Sequence, residues 1–382
     1  MKNLYNPIFP CREIESTKIT SNRLDLSKNL EVVPFNNGYA CFNGNQWFWI
    51  NEIELQELKR KQSIILFETS PFEIDSWGAY DVVELEIELT RRCNQKCVHC
   101  WNESNSTDNN NLNSERVKEL ITEFRFNGGQ RLLITGGEPL LYADLEDVLS
   151  KAKEQGVRKI EITTNGTLIT DRQAEMLAKY LNYINVSLHG PNPRIHDSIT
   201  QKKGSFVDTI AGIHRLKERG VEVIVYTTIM DLNLMTLPDM IDLIAKNKLG
   251  GIRFNTVYPI GRGEELTPME PKAKPLLSAY IQEQAEQQGV RIISSELSRG
   301  EYTHDFGSYQ FFGCNALRTL LYIGSSGDAF PCSRVTEPIG NIKQSSLSEV
   351  WRSQRARSMR NRLCDKLNTC NIHDKCGGKC KA

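Results

Sequence analysis

The alternation of short apolar segments with amphipathic stretches between residues 82 and 293 most limits the folds open to this chain. Segments rich in aliphatic and β-branched residues predict strands, and the amphipathic stretches predict helices. This order favours a parallel sheet with right-handed crossovers, and both a βα barrel and a flat doubly wound sheet fit it. The predicted strands are Val82–Leu89, Arg131–Thr135, Lys159–Thr164, Tyr183–Leu188, Val221–Ile229 and Ile252–Val257, and the predicted helices are Ser114–Asn127 (with Ser114 as N-cap), Leu145–Gln155, Asp171–Leu181, Ser205–Arg219 and Leu237–Asn247.

The segments on either side of this repeat have a different character. Gly38–Phe42 and Gln46–Ile50 predict a hairpin around Asn43-Gly44, and Glu52–Lys61 predicts a charged helix. From about Gly300 the chain is rich in glycine and cysteine. We therefore expect an α/β protein with an N-terminal α+β module over residues 1–80, a core over 81–300 and a cysteine-rich extension over 301–382.

Composition narrows the class of protein. Lys and Arg number 47, as do Asp and Glu, and apolar residues make up 39% of the chain. A balanced charge argues against a dedicated nucleic-acid binder, and the longest apolar runs are too short to span a bilayer. The first ten residues lack the apolar core of a signal peptide, so we expect a cytoplasmic protein without membrane partners.

Cysteine is the unusual residue of this composition. The chain has 11, and an odd number without an export signal is a poor basis for disulfides. Three of them, Cys93, Cys97 and Cys100, lie directly after the first predicted strand of the repeat. Ligand sites form at the carboxyl ends of parallel strands, so these thiols are predicted to be in an active site. Six more fall in the last 69 residues: Cys314, Cys332, Cys364, Cys370, Cys376 and Cys380.

Three thiols can hold a [4Fe–4S] cluster with one iron left open to a substrate or cofactor. A structural zinc site completed by His99 is the alternative. The next predicted strand ends in Gly136-Gly137-Glu138-Pro139, where backbone carbonyls and a carboxylate suit an ammonium ligand.

Together these two motifs resemble those of the radical S-adenosylmethionine (radical SAM) superfamily. Cys93, Cys97 and Cys100 match its CxxxCxxC motif, with His99 at the usual aromatic position near the adenine, and Gly136–Pro139 matches the GGEP motif that holds the methionyl amine. The resemblance implies a partial (β/α)6 barrel with a [4Fe–4S] cluster that reductively cleaves S-adenosylmethionine. The resulting 5′-deoxyadenosyl radical would abstract a hydrogen atom from the substrate, with flavodoxin or ferredoxin as electron donor.

Polar residues at two further strand ends match the superfamily less closely. The resemblance implies cofactor contacts for Asn165 after the third strand and for Ser187 at the end of the fourth. His189 stands where related maturases have Asp, so a role as proton carrier and a role in packing both remain open for this residue.

The C-terminal cysteines resemble the SPASM/twitch extension of radical SAM maturases. Twelve residues separate Cys314 from Gly327, and four separate Gly327 from Cys332, as in that extension. The later spacing departs from it, because Leu367 stands where a cysteine is expected. Six thiols complete one auxiliary [4Fe–4S] cluster with two to spare, or two clusters that use other ligands such as His373 or Asp374. We expect at least one such cluster, and a zinc ribbon is the alternative.

The likeness to maturases also suggests a substrate. The N-terminal module resembles the small domain with which maturases of ribosomal peptides bind a leader peptide by strand addition. The main hypothesis is therefore a radical SAM enzyme that introduces a cross-link, thioether or epimerised centre into a precursor peptide. Gly261-Arg262-Gly263 resembles a motif of relatives that act on tetrapyrroles and small molecules, which gives a second hypothesis. A non-catalytic zinc-binding interaction protein is the third.

Overall fold

The computed structural model describes residues 30–35, 38–42, 47–50, 56, 64–66, 82–181, 183–270, 273–293, 316–317 and 319–360. The strands of its larger sheet are β5 (Glu84–Glu88), β6 (Arg131–Thr135), β7 (Lys159–Thr164), β8 (Tyr183–Ser187), β9 (Glu222–Ile229), β10 (Gly251–Thr256), β11 (Leu320–Ile323), β12 (Asp328–Phe330) and β13 (Gly340–Asn341). These nine strands lie in the order β10-β9-β8-β7-β6-β5-β11-β12-β13. Neighbouring strands from β5 to β10 are all parallel, which confirms the six-stranded parallel sheet expected from the sequence.

A layer of helices covers one face of this sheet. Leu85 and Ile87 of β5 pack in the same buried apolar cluster as Val117, Leu120 and Phe124 of the first helix. Burial of such side chains is the main stabilising term of the fold. The helices are Ser114–Phe126, Leu145–Glu154, Asp171–Tyr180, Pro193–Thr200, Ser205–Glu218, Leu237–Lys246, Ala273–Gln288 and Leu347–Trp351.

The first helix begins at Ser114 as predicted, but its N-cap is a different residue. Asn113, and not Ser114, is its N-cap, because the Asn113 side chain accepts a hydrogen bond from the backbone N–H of Arg116. The helix Pro193–Thr200 was not predicted from the sequence, although Asn192 caps it and proline occupies its first turn.

The C-terminal extension shares the sheet of the core. β11 is parallel to β5 and paired with it from Leu320–Glu84 to Ile323–Ile87, so backbone hydrogen bonds cross the boundary predicted near residue 300. The guanidinium of Arg116 adds hydrogen bonds to the backbone carbonyls of Ile342 and Ser345. The two domain boundaries themselves stay a prediction.

The sheet is curved, because groups from its two ends meet. Tyr258 follows β10 at one end, and Arg334 lies between β12 and β13 at the other. The Arg334 guanidinium carbon nevertheless lies 3.8 Å from the centroid of the Tyr258 ring. With strands spaced about 4.8 Å apart, a flat sheet would separate these ends widely, so the sheet closes towards a barrel.

A second sheet lies in the N-terminal region. It consists of β1 (Leu30–Phe35), β2 (Gly38–Phe42), β3 (Trp47–Ile50) and β4 (Ile64–Leu66), in the order β3-β2-β1-β4. β2 and β3 form the antiparallel hairpin expected from Asn43-Gly44, with Phe42 opposite Trp47. The predicted helix Glu52–Lys61 lies outside the described residues, apart from residue 56. Within the described part of the chain, no helix has the length and apolar character needed to cross a membrane.

Candidate active site

The loop after β5 carries Cys93, Cys97 and Cys100 and is held by backbone hydrogen bonds on both sides. The N–H groups of Lys96 and Val98 donate to the carbonyls of Thr200 and Ile199, and the Cys93 N–H donates to Asn105. These bonds fix the loop against the end of the helix Pro193–Thr200. The three predicted ligands are therefore presented by an ordered loop at the carboxyl end of β5.

Arg262 binds the same loop from the other side. Its Nε donates to the Cys97 carbonyl at 2.8 Å, one terminal nitrogen donates to the Ser104 carbonyl at 3.1 Å, and its backbone N–H donates to the Cys100 carbonyl at 3.1 Å. Gly261 has φ +56°, and a Cβ there would lie 2.4 Å from the Trp101 carbonyl oxygen. The Gly261-Arg262 pair that suggested a tetrapyrrole enzyme thus has a structural role in this chain.

The thiols fit a cluster that brings its own positive charge. Burial, with the nearby Glu138 carboxylate, raises the pKa of Cys93 to about 12, and burial also raises the pKa of Cys97. Bound iron would reverse this preference for the neutral thiol and favour the thiolate. Among the described residues, no group of three His, Cys, Asp or Glu side chains converges on a point that suits a single metal ion. The cysteines of a [4Fe–4S] cluster each bind a different iron, so they need no such convergence.

The Gly136–Pro139 segment is pressed against the loop that carries the thiols. A Cβ on Gly136 would lie 2.7 Å from the Thr90 carbonyl oxygen, and one on Gly137 would lie 2.4 Å from that of Arg92. The Gly137 N–H donates to Thr90 at 2.6 Å, and the Glu138 N–H donates to Arg92 at 2.8 Å. Glycine is therefore required at both positions for this close approach.

Glu138 is fully buried, and three groups within the protein already donate to its carboxylate. The donors are the Thr164 hydroxyl at 2.6 Å, the Asn165 N–H at 2.8 Å and the Leu140 N–H at 3.1 Å. Burial raises the pKa of Glu138, while these hydrogen bonds oppose the rise. The carboxylate thus joins the ends of β6 and β7, and its predicted contact with the methionyl amine stays a prediction.

Asn165 connects this region to the loop of the thiols. Its side-chain N–H donates to Asn94 at 2.8 Å, and its side-chain oxygen accepts from the Thr167 hydroxyl at 2.7 Å. Asn94 and Thr167 also bind one another at 2.9 Å. The sequence analysis missed Asn94, although its position beside Cys93 was a signal for it. Ser187 ends β8 and is partly buried; its proposed cofactor contact, like that of Pro139, stays a prediction.

Three histidines pack together beside the thiols. The rings of His99 and His189 meet edge to face with centroids 4.5 Å apart, and the His196 ring stacks on His189 at 6.0 Å. Burial lowers the pKa of all three, to about 4 for His99 and His196. His189 is therefore neutral near pH 7, and its Nδ1 accepts a hydrogen bond from the Thr228 N–H. His196 lies on the helix that the sequence analysis missed.

Cys332 is the member of the C-terminal cysteine group that lies within the described residues. It is partly buried and follows β12 by two residues. The other predicted ligands, and the alternatives His373 and Asp374, lie outside the described residues: Cys314, Cys364, Cys370, Cys376 and Cys380.

Comparison with known proteins identifies the class. Residues 87–245 match the model of the radical SAM superfamily, and residues 314–381 match the iron–sulfur cluster-binding SPASM domain. Together the two models span more than half of the chain. The chain belongs to the radical SAM superfamily and carries a SPASM domain. It is an enzyme that uses S-adenosylmethionine and a [4Fe–4S] cluster, and its SPASM domain implies auxiliary iron–sulfur clusters.

The curated relatives include enzymes of two kinds. The chain is 28% identical to the AdoMet-dependent heme synthase of Methanosarcina barkeri, over 77% of this chain and 90% of that protein. It is 27% identical to the antilisterial bacteriocin subtilosin biosynthesis protein AlbA of Bacillus subtilis, over 76% of this chain and 65% of that one. A 36% match to the Fe-coproporphyrin III synthase of M. barkeri spans 47% of this chain and only 45% of that protein.

Solved structures share the fold. SuiB of Streptococcus suis superposes with a TM-score of 0.72 at 17% identity, over 93% of this chain and 95% of SuiB. Native anSMEcpe with bound AdoMet superposes with a TM-score of 0.61 at 17% identity, over 78% of this chain and 89% of the anSMEcpe chain.

Proposed function

We propose that this enzyme modifies a ribosomally made precursor peptide by a cross-link, a thioether or an epimerisation. The N-terminal sheet carries the proposal. β3 ends the order β3-β2-β1-β4, so one side of its backbone faces away from β2. An extended peptide can add to such an edge through main-chain hydrogen bonds, and this mode of binding suits leader peptides of varied sequence.

The structural comparisons support this role for the N-terminal sheet. The SuiB match leaves out 7% of this chain, which is less than the predicted N-terminal module, so it includes much of that module. A SuiB structure bound to the precursor peptide SuiA also superposes with a TM-score of 0.72, over 90% of this chain. The anSMEcpe matches extend over 78% of the chain, a smaller share than the 93% covered by the SuiB match.

In the proposed site each residue has a defined task. Cys93, Cys97 and Cys100 would hold the cluster, and Arg262 fixes their loop through the carbonyls of Cys97 and Ser104. When bound, the cluster and S-adenosylmethionine supply radical chemistry that begins with a one-electron reduction. The backbone of Gly136–Pro139 and the partly buried His99 ring would orient the methionyl and adenine groups. Residues of the C-terminal extension would form part of the wall of the substrate site.

The second candidate is an enzyme of haem or tetrapyrrole biosynthesis. It is favoured by the AdoMet-dependent heme synthases, which match 77% of this chain at 26–28% identity over 81–90% of their own lengths. The third hypothesis, a non-catalytic zinc protein, has no support from these relatives, which are enzymes.

A direct comparison of substrates tests the proposal. The enzyme would be reconstituted with iron and sulfide under anaerobic conditions and supplied with S-adenosylmethionine and either reduced flavodoxin or ferredoxin, the electron donors we propose. One reaction receives each peptide encoded by a short open reading frame found beside its gene, and another receives iron-coproporphyrin III. We expect 5′-deoxyadenosine to form together with a peptide of changed mass, for a cross-link or a thioether, or of unchanged mass with a D-residue, for an epimerisation. A changed porphyrin with an unchanged peptide would establish the second candidate instead.

A further inference from the structure

Three glutamates alternate along β5 on the face of the sheet opposite the helices. Leu85 and Ile87 lie in the helix-facing core, so Glu84, Glu86 and Glu88 point the other way. Glu84 binds Arg131 at 2.7 Å and accepts from the Thr319 hydroxyl at 3.3 Å. Glu88 accepts hydrogen bonds from four groups: the Asn102 side-chain amide, the Tyr322 hydroxyl, and the N–H and hydroxyl of Ser325.

Glu86 lies between them and differs from both in its hydrogen bonding. Within the described part of the chain its carboxyl group has no hydrogen bond or ion pair, and the residue is partly buried. Burial raises the pKa of Glu86 to about 7, against the opposing effect of Arg131 and Arg334. A carboxyl group that is partly removed from water without a partner costs stability, so folding alone gives no reason for an acid at this position.

A second polar group faces the same region. The Tyr258 hydroxyl is buried and has no hydrogen-bond partner among the described residues. The guanidinium of Arg334 stacks on the Tyr258 ring at 3.8 Å and is near enough to Glu86 to lower its pKa. Glu86, Tyr258 and Arg334 come from β5, from the segment after β10 and from the C-terminal extension. The two polar groups without partners therefore lie where the curved sheet closes.

This region adjoins the loop that carries the predicted cluster ligands. Tyr322 of β11 is opposite Glu86 in the sheet, and its ring packs edge to face against Trp101 at 5.7 Å. Trp101 follows Cys100 directly. A substrate group bound at Glu86 would therefore be near the place where the radical reaction begins.

We propose that Glu86 and Tyr258 bind a backbone segment of the substrate peptide, with the Glu86 carboxylate accepting from a peptide N–H and the Tyr258 hydroxyl donating to a peptide carbonyl. The assignment rests on the proposed function. A peptide group offers one donor and one acceptor, which complement the acceptor of Glu86 and the donor of Tyr258. A polycarboxylate such as a porphyrin is a poor match, because its carboxylates and Glu86 would repel one another.

The test measures binding to the full-length holoenzyme, with clusters and S-adenosylmethionine in place. The probes are a pool of short random-sequence peptides, acetylated and amidated at their ends, and separately coproporphyrin III. Retention in equilibrium dialysis is compared for the wild type, Glu86→Gln, Tyr258→Phe and Glu218→Gln. The last is a control with the same change of charge on an exposed helix end. Iron content and thermal midpoint of each variant show that it is folded and loaded.

We expect peptide binding to fall about tenfold in Glu86→Gln and less in Tyr258→Phe, as for loss of a charged and of a neutral hydrogen bond, and to stay unchanged in Glu218→Gln. Wild-type binding should be about tenfold weaker at pH 6 than at pH 8, because the carboxylate is the acceptor, whereas Glu86→Gln should show no such change. The charged and titratable groups that surround Glu86 are Glu84, Glu88, Arg131, Tyr226, Tyr322 and Arg334, and all of them are retained in Glu86→Gln.

Two results would overturn the assignment, and they differ in what they mean for the function. If the wild type retains peptides and Glu86→Gln retains them equally at both pH values, Glu86 does not bind the peptide, while the proposed function stands. If the wild type retains coproporphyrin III and no peptides, the proposed function fails and the assignment fails with it.

Discussion

The Arg262 side chain donates a hydrogen bond from Nε to the backbone carbonyl of Cys97 at 2.8 Å, which joins the segment after β10 to the loop after β5. These two strands are five strands apart in the sheet. A cation that binds the carbonyls around the predicted ligands helps to fix the loop before any cluster is present. The loop's ability to receive iron should therefore depend on Arg262.

Replacing Arg262 by lysine tests this dependence. Lysine keeps the charge but lacks the planar fork, so it cannot bind the carbonyls of Cys97 and Ser104 together. We expect a loss of about 2 kcal/mol in the free energy of unfolding and a lower iron content after reconstitution. Arg291→Lys, which changes an exposed ion pair with Glu222, is the control and should behave like the wild type. Equal iron content in both variants would contradict the role given to Arg262.

Gly137 should tolerate no side chain. A Cβ at this position would meet the Arg92 carbonyl oxygen at 2.4 Å, and backbone must move to admit it. We expect Gly137→Ala to lower the free energy of unfolding by about 3 kcal/mol, at the upper end for overpacking. Gly324→Ala is the matched control, because its new Cβ would have its nearest neighbour at 3.4 Å. Chemical denaturation of both variants gives the comparison, and equal midpoints would show that the loops separate easily.

The sequence predicted the parallel core well, because each strand there has a local pattern of its own. Arg131–Thr135 and Lys159–Thr164 match the structure at both ends, since buried aliphatic runs bounded by polar turns leave little choice. The pairing of β11 with β5 has no such local signal. It joins residues more than 200 positions apart, and hydrophobic periodicity carries no information on which strands are neighbours.

The same distinction holds for the site. Cysteines at fixed spacing after a strand, and a glycine pair after the next strand, were visible because motif and chemistry are both local. The contacts of Arg262, the packing of His99 against His189 and the four donors around Glu88 depend on chain segments far apart in sequence. Glu138 combines both cases. Its local motif identified the residue, but the three groups that donate hydrogen bonds to its carboxylate were not predicted.

Cys97→Ala should abolish reductive cleavage of S-adenosylmethionine. Removing one of three thiols leaves too few ligands to hold a cluster with an open iron. We expect no 5′-deoxyadenosine above background under dithionite and a reduced absorbance from the cluster. Cys41→Ala, outside both cysteine groups of the sequence, is the control and should retain cleavage. Cleavage by Cys97→Ala at the wild-type rate would mean that the ligands are misassigned.

Glu88→Gln should destabilise the contact between the cysteine loop and the C-terminal extension. The carboxylate accepts from Asn102 on that loop and from Tyr322 and Ser325 on the extension. The N–H2 group of glutamine would face at least one group that itself donates, and that hydrogen bond would be lost. We therefore expect a loss of about 2 kcal/mol in the free energy of unfolding. The exposed Glu218→Gln is again the control. A denaturation midpoint equal to the control would show that these hydrogen bonds contribute little.

Glu86→Gln should stabilise the folded protein, and only at high pH. Burial raises the pKa of Glu86 from 4.5 to about 7 in the folded protein, so between these values unfolding releases a proton. Stability therefore falls as the pH rises through this window, and above pH 7 the cost reaches about 3 kcal/mol. Glutamine carries no such cost.

We expect the difference in free energy of unfolding between Glu86→Gln and the wild type to favour the variant by about 3 kcal/mol more at pH 8 than at pH 4.5. Urea titrations at the two pH values measure it, with Glu218→Gln parallel to the wild type throughout. A pH-independent difference would show that Glu86 ionises normally, whereas the expected one would show that the protein retains an acid at a cost in stability, as residues kept for binding often do.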